Sequence, residues 1–98
     1  TGEFGRTPKL EYAKNRTGRD HWPQAQTILV SGGAGRMGQV IGSTTSKGEN
    51  PKDRAMVPNH LWATVFEHLK LNYRDTNFVF PAVFRAVRQY SSIREYLN

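Results

Sequence analysis

The sequence predicts an α/β fold made of a short β-hairpin followed by one or two helices. The first observation is the apolar, β-branched run Thr27–Val30, which ends at a serine and two glycines and has the length of a buried strand. The second is a change to a helical period of apolar residues from Pro58 onwards. The third is composition: 37% of the residues are hydrophobic and 22% are charged, as in ordinary globular proteins, so we expect folding and not disorder.

Residues 1–26 are predicted to be loops. Residues 1–8 carry glycines and a proline without any helical period, and residues 9–20 are polar and basic, as in a surface connection. The hairpin is predicted over 27–45, where a strand at 27–30 is joined by a glycine-rich turn to a weaker strand at 39–43. A continuous apolar run implies burial on both faces.

The predicted helix covers 57–72. Pro58 suits the first turn, where its missing N–H leaves no hydrogen bond unmade, and Asn72 is a plausible stop. Leu61, Val65 and Leu69 form its apolar stripe. A C-terminal helical segment is predicted over 78–98, broken near Ser91-Ser92.

Size and composition bound the functions that the chain could have. Its 98 residues make at most one small domain, which buries only about two thirds of the surface of the unfolded chain. The absence of cysteine excludes disulfide scaffolds, thiolate zinc sites and cysteine nucleophiles. No apolar run approaches the roughly 18 residues that would predict a membrane span.

The net charge of +6 is compatible with anionic partners. The basic residues are scattered along the chain, however, and no basic helix or aromatic-basic repeat appears, so nucleic acid is not the expected partner. A small interaction module, or a module that binds anions or nucleic acid, stays an alternative.

A second alternative comes from Gly33–Gly38, which has the G-x-G-x-x-G spacing of dinucleotide-binding loops and follows the predicted strand. Such a loop must open a helix, yet residues 39–48 contain glycines, a Val-Ile pair and a Ser-Thr-Thr-Ser run, which are poor helix formers. We therefore interpret it as a turn with glycine where a positive φ is needed.

Four polar residues near the start of the chain could carry chemistry: Glu3, Arg6, Asp20 and His21. Carboxylates and imidazole are the ligands of zinc, manganese and calcium sites, and arginine can grip a sulfate or phosphate through two hydrogen bonds. On spacing alone, an Asp-His pair in a loop is more often a simple turn. His60 and His68 lie at helical positions without carboxylates at ligand spacing.

Two motifs, residues 3–8 (EFGRTP) and 18–23 (GRDHWP), precede the strand, residues 38–42 (GQVIG) and the helix at Val57-Pro58. In this order they resemble an uncharacterised sulfatase-like family, usually exported by the twin-arginine route, within the alkaline phosphatase superfamily. The resemblance covers residues 1 to about 71 and implies an alkaline-phosphatase-like α/β sandwich with a largely parallel sheet. It implies a hydrolase of sulfate or phosphate esters that uses a divalent metal such as zinc, calcium or manganese. In that reading Glu3, Asp20 and His21 are metal ligands, while Arg6 and His21 face the substrate.

The sequence also departs from that superfamily. The nucleophile and the other metal carboxylates, which the superfamily carries in its N-terminal half, are not in these residues, and residues 73–92 differ from the family's usual ending. We therefore expect a C-terminal fragment that is inactive alone, and whose partner is the remainder of the parent hydrolase domain.

Overall fold

The computed structural model describes residues 1–33, 36–75 and 81–97, apart from the side chains of Pro81 and Phe84. Within these residues the structure is mixed α/β, with small antiparallel sheets and short helices. The strands are β1 Gly5–Arg6, β2 Glu11–Ala13, β3 Arg16–Gly18, β4 His21–Trp22, β5 Ser43–Thr44 and β6 Pro51–Asp53. The helices are α1 Pro58–His68, α2 Pro81–Val87 and a 3-10 helix at Ile93–Tyr96.

The chain divides into two units. The first, which we call the front unit, comprises Thr1–Ser31 and Gly42–Ala55 and contains all the strands named above. The second, the helical unit, comprises Gly32–Ile41 and Met56–Asn98. No helix in the described ranges is long and apolar enough to cross a membrane.

Residues predicted as loops at the start of the chain form a long hairpin in the front unit. Strand β1 pairs with β4, and β2 pairs with β3 around the two-residue turn 14–15. Between the two ladders, one side of the hairpin has four residues, 7–10, and the other has two, 19–20, so the register changes there. Pro8 lies in the longer side and has no N–H to donate to a ladder. The prediction of loops over 1–26 was wrong because both faces of this hairpin are largely exposed, so it lacks the apolar alternation by which strands are found.

The hairpin predicted over 27–45 is also corrected. Among the described residues, 27–30 belong to no strand, and β5 pairs instead with β6 across a loop. Leu29 is 89% exposed and Val40 is 91% exposed. An apolar strand is buried on both faces only when neighbouring strands and covering helices are supplied, and the described part of this chain supplies none for this segment.

Helix α1 lies within the predicted range 57–72 and begins at Pro58, after an extended Val57. It ends four residues before Asn72, because Lys70 adopts a left-handed φ of 57°. The Leu71 N–H then donates to the Phe66 carbonyl, and the Lys70 N–H donates to the Glu67 carbonyl, so the last carbonyls of the helix are satisfied.

The core of the helical unit is small. Ala63, Tyr73 and Val87 are buried, with Phe66 and Leu71 packed against them. Beside this core, the Thr64 hydroxyl donates to the His60 carbonyl and accepts from the Ile93 N–H, both at 2.7 Å. This hydroxyl ties α1 to the start of the 3-10 helix. Of the predicted segment 78–98, residues 78–80 and 98 lie outside the described residues, and the helical stretches on either side of Ser91-Ser92 are α2 and the 3-10 helix.

Candidate functional site

Arg6 and His21 stand directly opposite each other in the β1–β4 ladder. Opposite residues of an antiparallel pair point to the same face, with Cβ atoms about 5 Å apart. Both residues are exposed. The fold therefore places two residues that are 15 positions apart in the sequence on one face of the ladder, with both side chains exposed to solvent.

Phe4 organises this pair. Its ring stacks on the His21 ring with centroids 3.8 Å apart and an interplanar angle of 29°. The Arg6 guanidinium carbon lies 5.7 Å from the centroid of the same ring, within the range of a cation–π contact. The aromatic ring limits the rotamers of both polar side chains, so less conformational freedom is lost when they bind an anion.

The backbone around the pair is held by two reciprocal hydrogen bonds. The Thr7 N–H donates to the Asp20 carbonyl at 3.0 Å, and the Asp20 N–H donates to the Thr7 hydroxyl at 3.1 Å. Next to them, the indole N–H of Trp22 donates to the Glu49 carbonyl at 2.7 Å. The contacts between Thr7 and Asp20 continue the β1–β4 ladder beyond its two residue pairs and fix its register.

Gly5 is required for steric reasons. A Cβ atom at this position would lie 1.9 Å from the Ala25 carbonyl oxygen and 3.0 Å from the Trp22 carbonyl oxygen. Both atoms belong to the backbone, so neither can move aside cheaply. Sequence reasoning missed Phe4, Gly5, Thr7 and Trp22 as supports of the site; the signal available was their position beside the polar residues in the two six-residue motifs.

Glu3 and Asp20 are exposed residues at the edges of the same ladder. In the antiparallel register Glu3 lies beyond the Gly5–Trp22 pair and Asp20 lies beyond the Arg6–His21 pair, so the two carboxylates belong to opposite ends of the ladder. Among the residues that the structure describes, no group of three or more His, Asp or Glu side chains could hold a metal ion. These residues by themselves therefore do not form a complete metal site within the described part of the chain.

The glycine loop does not continue into the helix that a dinucleotide site requires. Gly33 and Gly38 have positive φ values of 72° and 76°, as expected for glycine turns. Residues 34 and 35 lie outside the described residues, but 36–42 are described and are not helical. The N–H groups of a helix N-terminus, which would hold pyrophosphate, are thus not formed by 36–42.

The two histidines of the helical unit have structural contacts. His60 Nδ1 lies 3.0 Å from the Ser91 carbonyl, and since a carbonyl can only accept, Nδ1 carries a proton and donates it. The His60 ring also makes edge contacts with Tyr90 and Tyr96, at 5.1 and 6.0 Å. His68 Nδ1 lies 3.5 Å from a guanidinium nitrogen of Arg94, and since arginine can only donate, this His68 nitrogen is the acceptor.

Comparison with known proteins gives one family. A family model described as "Protein of unknown function (DUF1501)" matches residues 1–93, which include the whole candidate site, the front unit and the helical unit up to Ile93. No curated protein and no solved structure matches the chain.

Proposed function

The chain belongs to the DUF1501 family, and on that premise we propose that it is one part of a metal-dependent hydrolase of sulfate or phosphate esters, inactive alone. The observation that carries the proposal is the opposed pair Arg6 and His21, organised by Phe4 on one face of a ladder. In this proposal the front hairpin supplies the anion-binding side of the active site. The remainder of a larger hydrolase domain supplies the nucleophile.

The chemistry of the pair suits a tetrahedral oxyanion. A guanidinium is planar, permanently charged and able to donate two parallel hydrogen bonds to two oxygens of a sulfate or phosphate group. An imidazole beside it can donate a third hydrogen bond, or carry a proton between substrate and water near neutral pH. Because both residues are exposed, an ester group can reach them from solvent.

The metal part of the proposal assigns Glu3, Asp20 and His21 to a divalent ion such as zinc, calcium or manganese. Oxygen and imidazole nitrogen ligands suit those ions. Because these residues do not form a complete ligand set within the described chain, the other ligands must come from the remainder of the hydrolase domain. We derive no reaction step through the ion.

Exposed apolar surface supports the idea that a larger domain surrounds this chain. Among the described residues the buried hydrophobic side chains are Ala63, Tyr73 and Val87. Leu29 and Val40, in contrast, are almost fully exposed, although they lie in segments whose composition favours buried strands. Apolar side chains gain about 25 cal/mol for each Å² removed from water, so a covering sheet or helix would stabilise this arrangement.

The anion-binding part is tested with inorganic sulfate and the 98-residue chain. We expect the His21 ring and Arg6 side-chain NMR signals to shift on titration, and Arg6→Gln to weaken the binding about fivefold or more, as for the loss of a charged hydrogen bond at an exposed site. Arg88→Gln removes an equal charge from an exposed residue of the helical unit and is the matched control. Equal loss in the two variants, or no shift at His21, would reject the proposed site.

The metal part is tested in the complete gene product. Glu3→Gln and His21→Ala are each expected to lower the amount of bound zinc, calcium or manganese per chain, measured by elemental analysis. His68→Ala, which removes another exposed imidazole, is the control. Unchanged metal content in both site variants would remove Glu3 and His21 from the ligand set.

A further inference from the structure

A dense group of cations lies in the outer half of the front hairpin. We call residues 9–19 the basic arm; they comprise β2, β3 and the residues on either side. Four of them are cations and one, Glu11, is an anion, and every residue of the arm is exposed. The cations are Lys9, Lys14, Arg16 and Arg19.

Among the residues that the structure describes, no acidic side chain forms an ion pair with a cation of the basic arm. The ion pairs of Arg54 with Asp53, Arg74 with Glu95 and Arg94 with Glu67 lie outside the arm. A two-stranded ladder is only marginally stable, and unpaired like charges on it lower its stability further. Binding of an extended anion would remove this repulsion. Nothing within the arm does so, because all of its residues are exposed.

The basic arm is continuous with the Arg6–His21 pair. The returning side of the hairpin runs from Arg16 through Arg19 to His21, which is five residue steps and spans about 16 Å at the usual rise of a strand. The cations Arg16 and Arg19 therefore lie in the same segment of the hairpin as His21, with the carboxylate of Asp20 between Arg19 and His21. Tyr12 adds an aromatic ring that is 77% exposed, which a sugar face can cover.

We propose that the basic arm binds a sulfated polysaccharide and so makes polymeric sulfate esters the substrate class of this site. The inference rests on the proposed function, because the Arg6–His21 pair would receive one sulfate while the arm binds sulfates farther along the chain. Single-stranded nucleic acid is less well matched, since sites of that kind stack successive bases on several aromatic side chains and the arm has one.

The test is calorimetry of the 98-residue chain with dextran sulfate, and with uncharged dextran as the blank. We expect dextran sulfate alone to bind, with an affinity that falls as salt rises. The double variant Lys14→Gln/Arg16→Gln is expected to bind about tenfold more weakly at low salt and to show a shallower salt dependence. The control Lys47→Gln/Lys52→Gln removes the same charge from exposed positions elsewhere in the front unit and should change the affinity less than about twofold.

A second double variant, Lys9→Gln/Arg19→Gln, guards against loss of the β2–β3 ladder, because both residues lie outside its strands. It should also weaken binding of dextran sulfate. Affinity that is unchanged in both arm variants, or lowered equally in the control, overturns the proposal. So does single-stranded DNA of matched charge if it binds more tightly than dextran sulfate at the same salt, since the arm would then be a nucleic-acid surface.

The two proposals fail in different ways. If inorganic sulfate leaves His21 unperturbed while the arm variants still weaken dextran sulfate binding, the oxyanion site is rejected and the arm remains a polysaccharide-binding surface. If Arg6→Gln weakens binding of inorganic sulfate while the arm variants bind dextran sulfate like the unmodified chain, the site is retained and the arm is rejected.

Discussion

Different kinds of interaction stabilise the front unit and the helical unit. Every residue that the structure describes as buried lies in the helical unit: Ala63, Tyr73, Val87 and Ser92. The front unit has none among its described residues, and its ladders depend on backbone hydrogen bonds, one indole contact and a stacked ring pair. The candidate site nevertheless lies in the front unit, where the side chains are accessible.

This difference predicts how each unit responds to substitution. Removing buried volume costs both transfer free energy and a cavity, so the helical unit should be sensitive to the size of its core residues. An exposed ladder has little buried volume to lose, so the front unit should be sensitive to backbone space and to single hydrogen bonds. Three substitutions, each with a matched control, test this contrast.

The largest effect is expected for Tyr73→Ala. Tyr73 is 6% exposed, its ring packs 6.0 Å from that of Phe66, and its hydroxyl donates to the Tyr90 carbonyl at 3.4 Å. Losing a buried aromatic ring should lower the free energy of opening of α1 by about 3 kcal/mol, measured as amide hydrogen exchange. The control Tyr12→Ala removes the same side chain from a site that is 77% exposed and should change it by less than about 0.5 kcal/mol. Similar effects at the two tyrosines would abolish the contrast between the units.

The sequence predicted the helical unit better than the front unit, for a physical reason. The helical period of apolar residues and the position of Pro58 identify helix α1, although its fully buried residue is Ala63 and Leu69 of the predicted stripe is 58% exposed. The front hairpin buries neither face, so its strands have no hydrophobic alternation to read. The prediction of a strand at 27–30 was wrong because an apolar, β-branched segment forms a buried strand only when neighbouring strands cover it. No strand lies beside this segment among the described residues.

The candidate site was predictable as a set of residues but not as a geometry. Arg6 and His21 stand out by chemical type, but only the register of β1 and β4 places them opposite each other. That register depends on contacts without a sequence pattern, such as the Thr7 hydroxyl accepting from the Asp20 N–H. The metal assignment of Glu3 and Asp20 stays a prediction.

The second largest effect is expected for Gly5→Ala, which tests whether the ladder needs glycine because the backbone approaches closely at this position. In Gly5→Ala the new methyl group would overlap the Ala25 carbonyl oxygen, so we expect the β1–β4 ladder to be destabilised by about 2 kcal/mol. Gly18→Ala is the control, because a Cβ at Gly18 meets nothing within 4 Å. Amide exchange at Thr7 and Trp22 measures both variants. A loss of protection in both would mean that the ladder depends on glycine flexibility and not on the close approach of the backbone.

The smallest effect concerns the indole contact of the front unit. Trp22→Phe removes the hydrogen bond from the indole N–H to the Glu49 carbonyl, which should cost about 1 kcal/mol in protection of the β1–β4 amides. Trp62→Phe removes the same N–H from a side chain that is 52% exposed and donates no hydrogen bond within the described part of the chain, so α1 should keep its protection to within about 0.5 kcal/mol. A larger loss at Trp62 than at Trp22 would mean that packing of the ring outweighs the hydrogen bond. The stability of the front ladder would then not depend on single polar contacts. That result would contradict the expected contrast, in which the front unit depends on hydrogen bonds and the helical unit depends on buried volume.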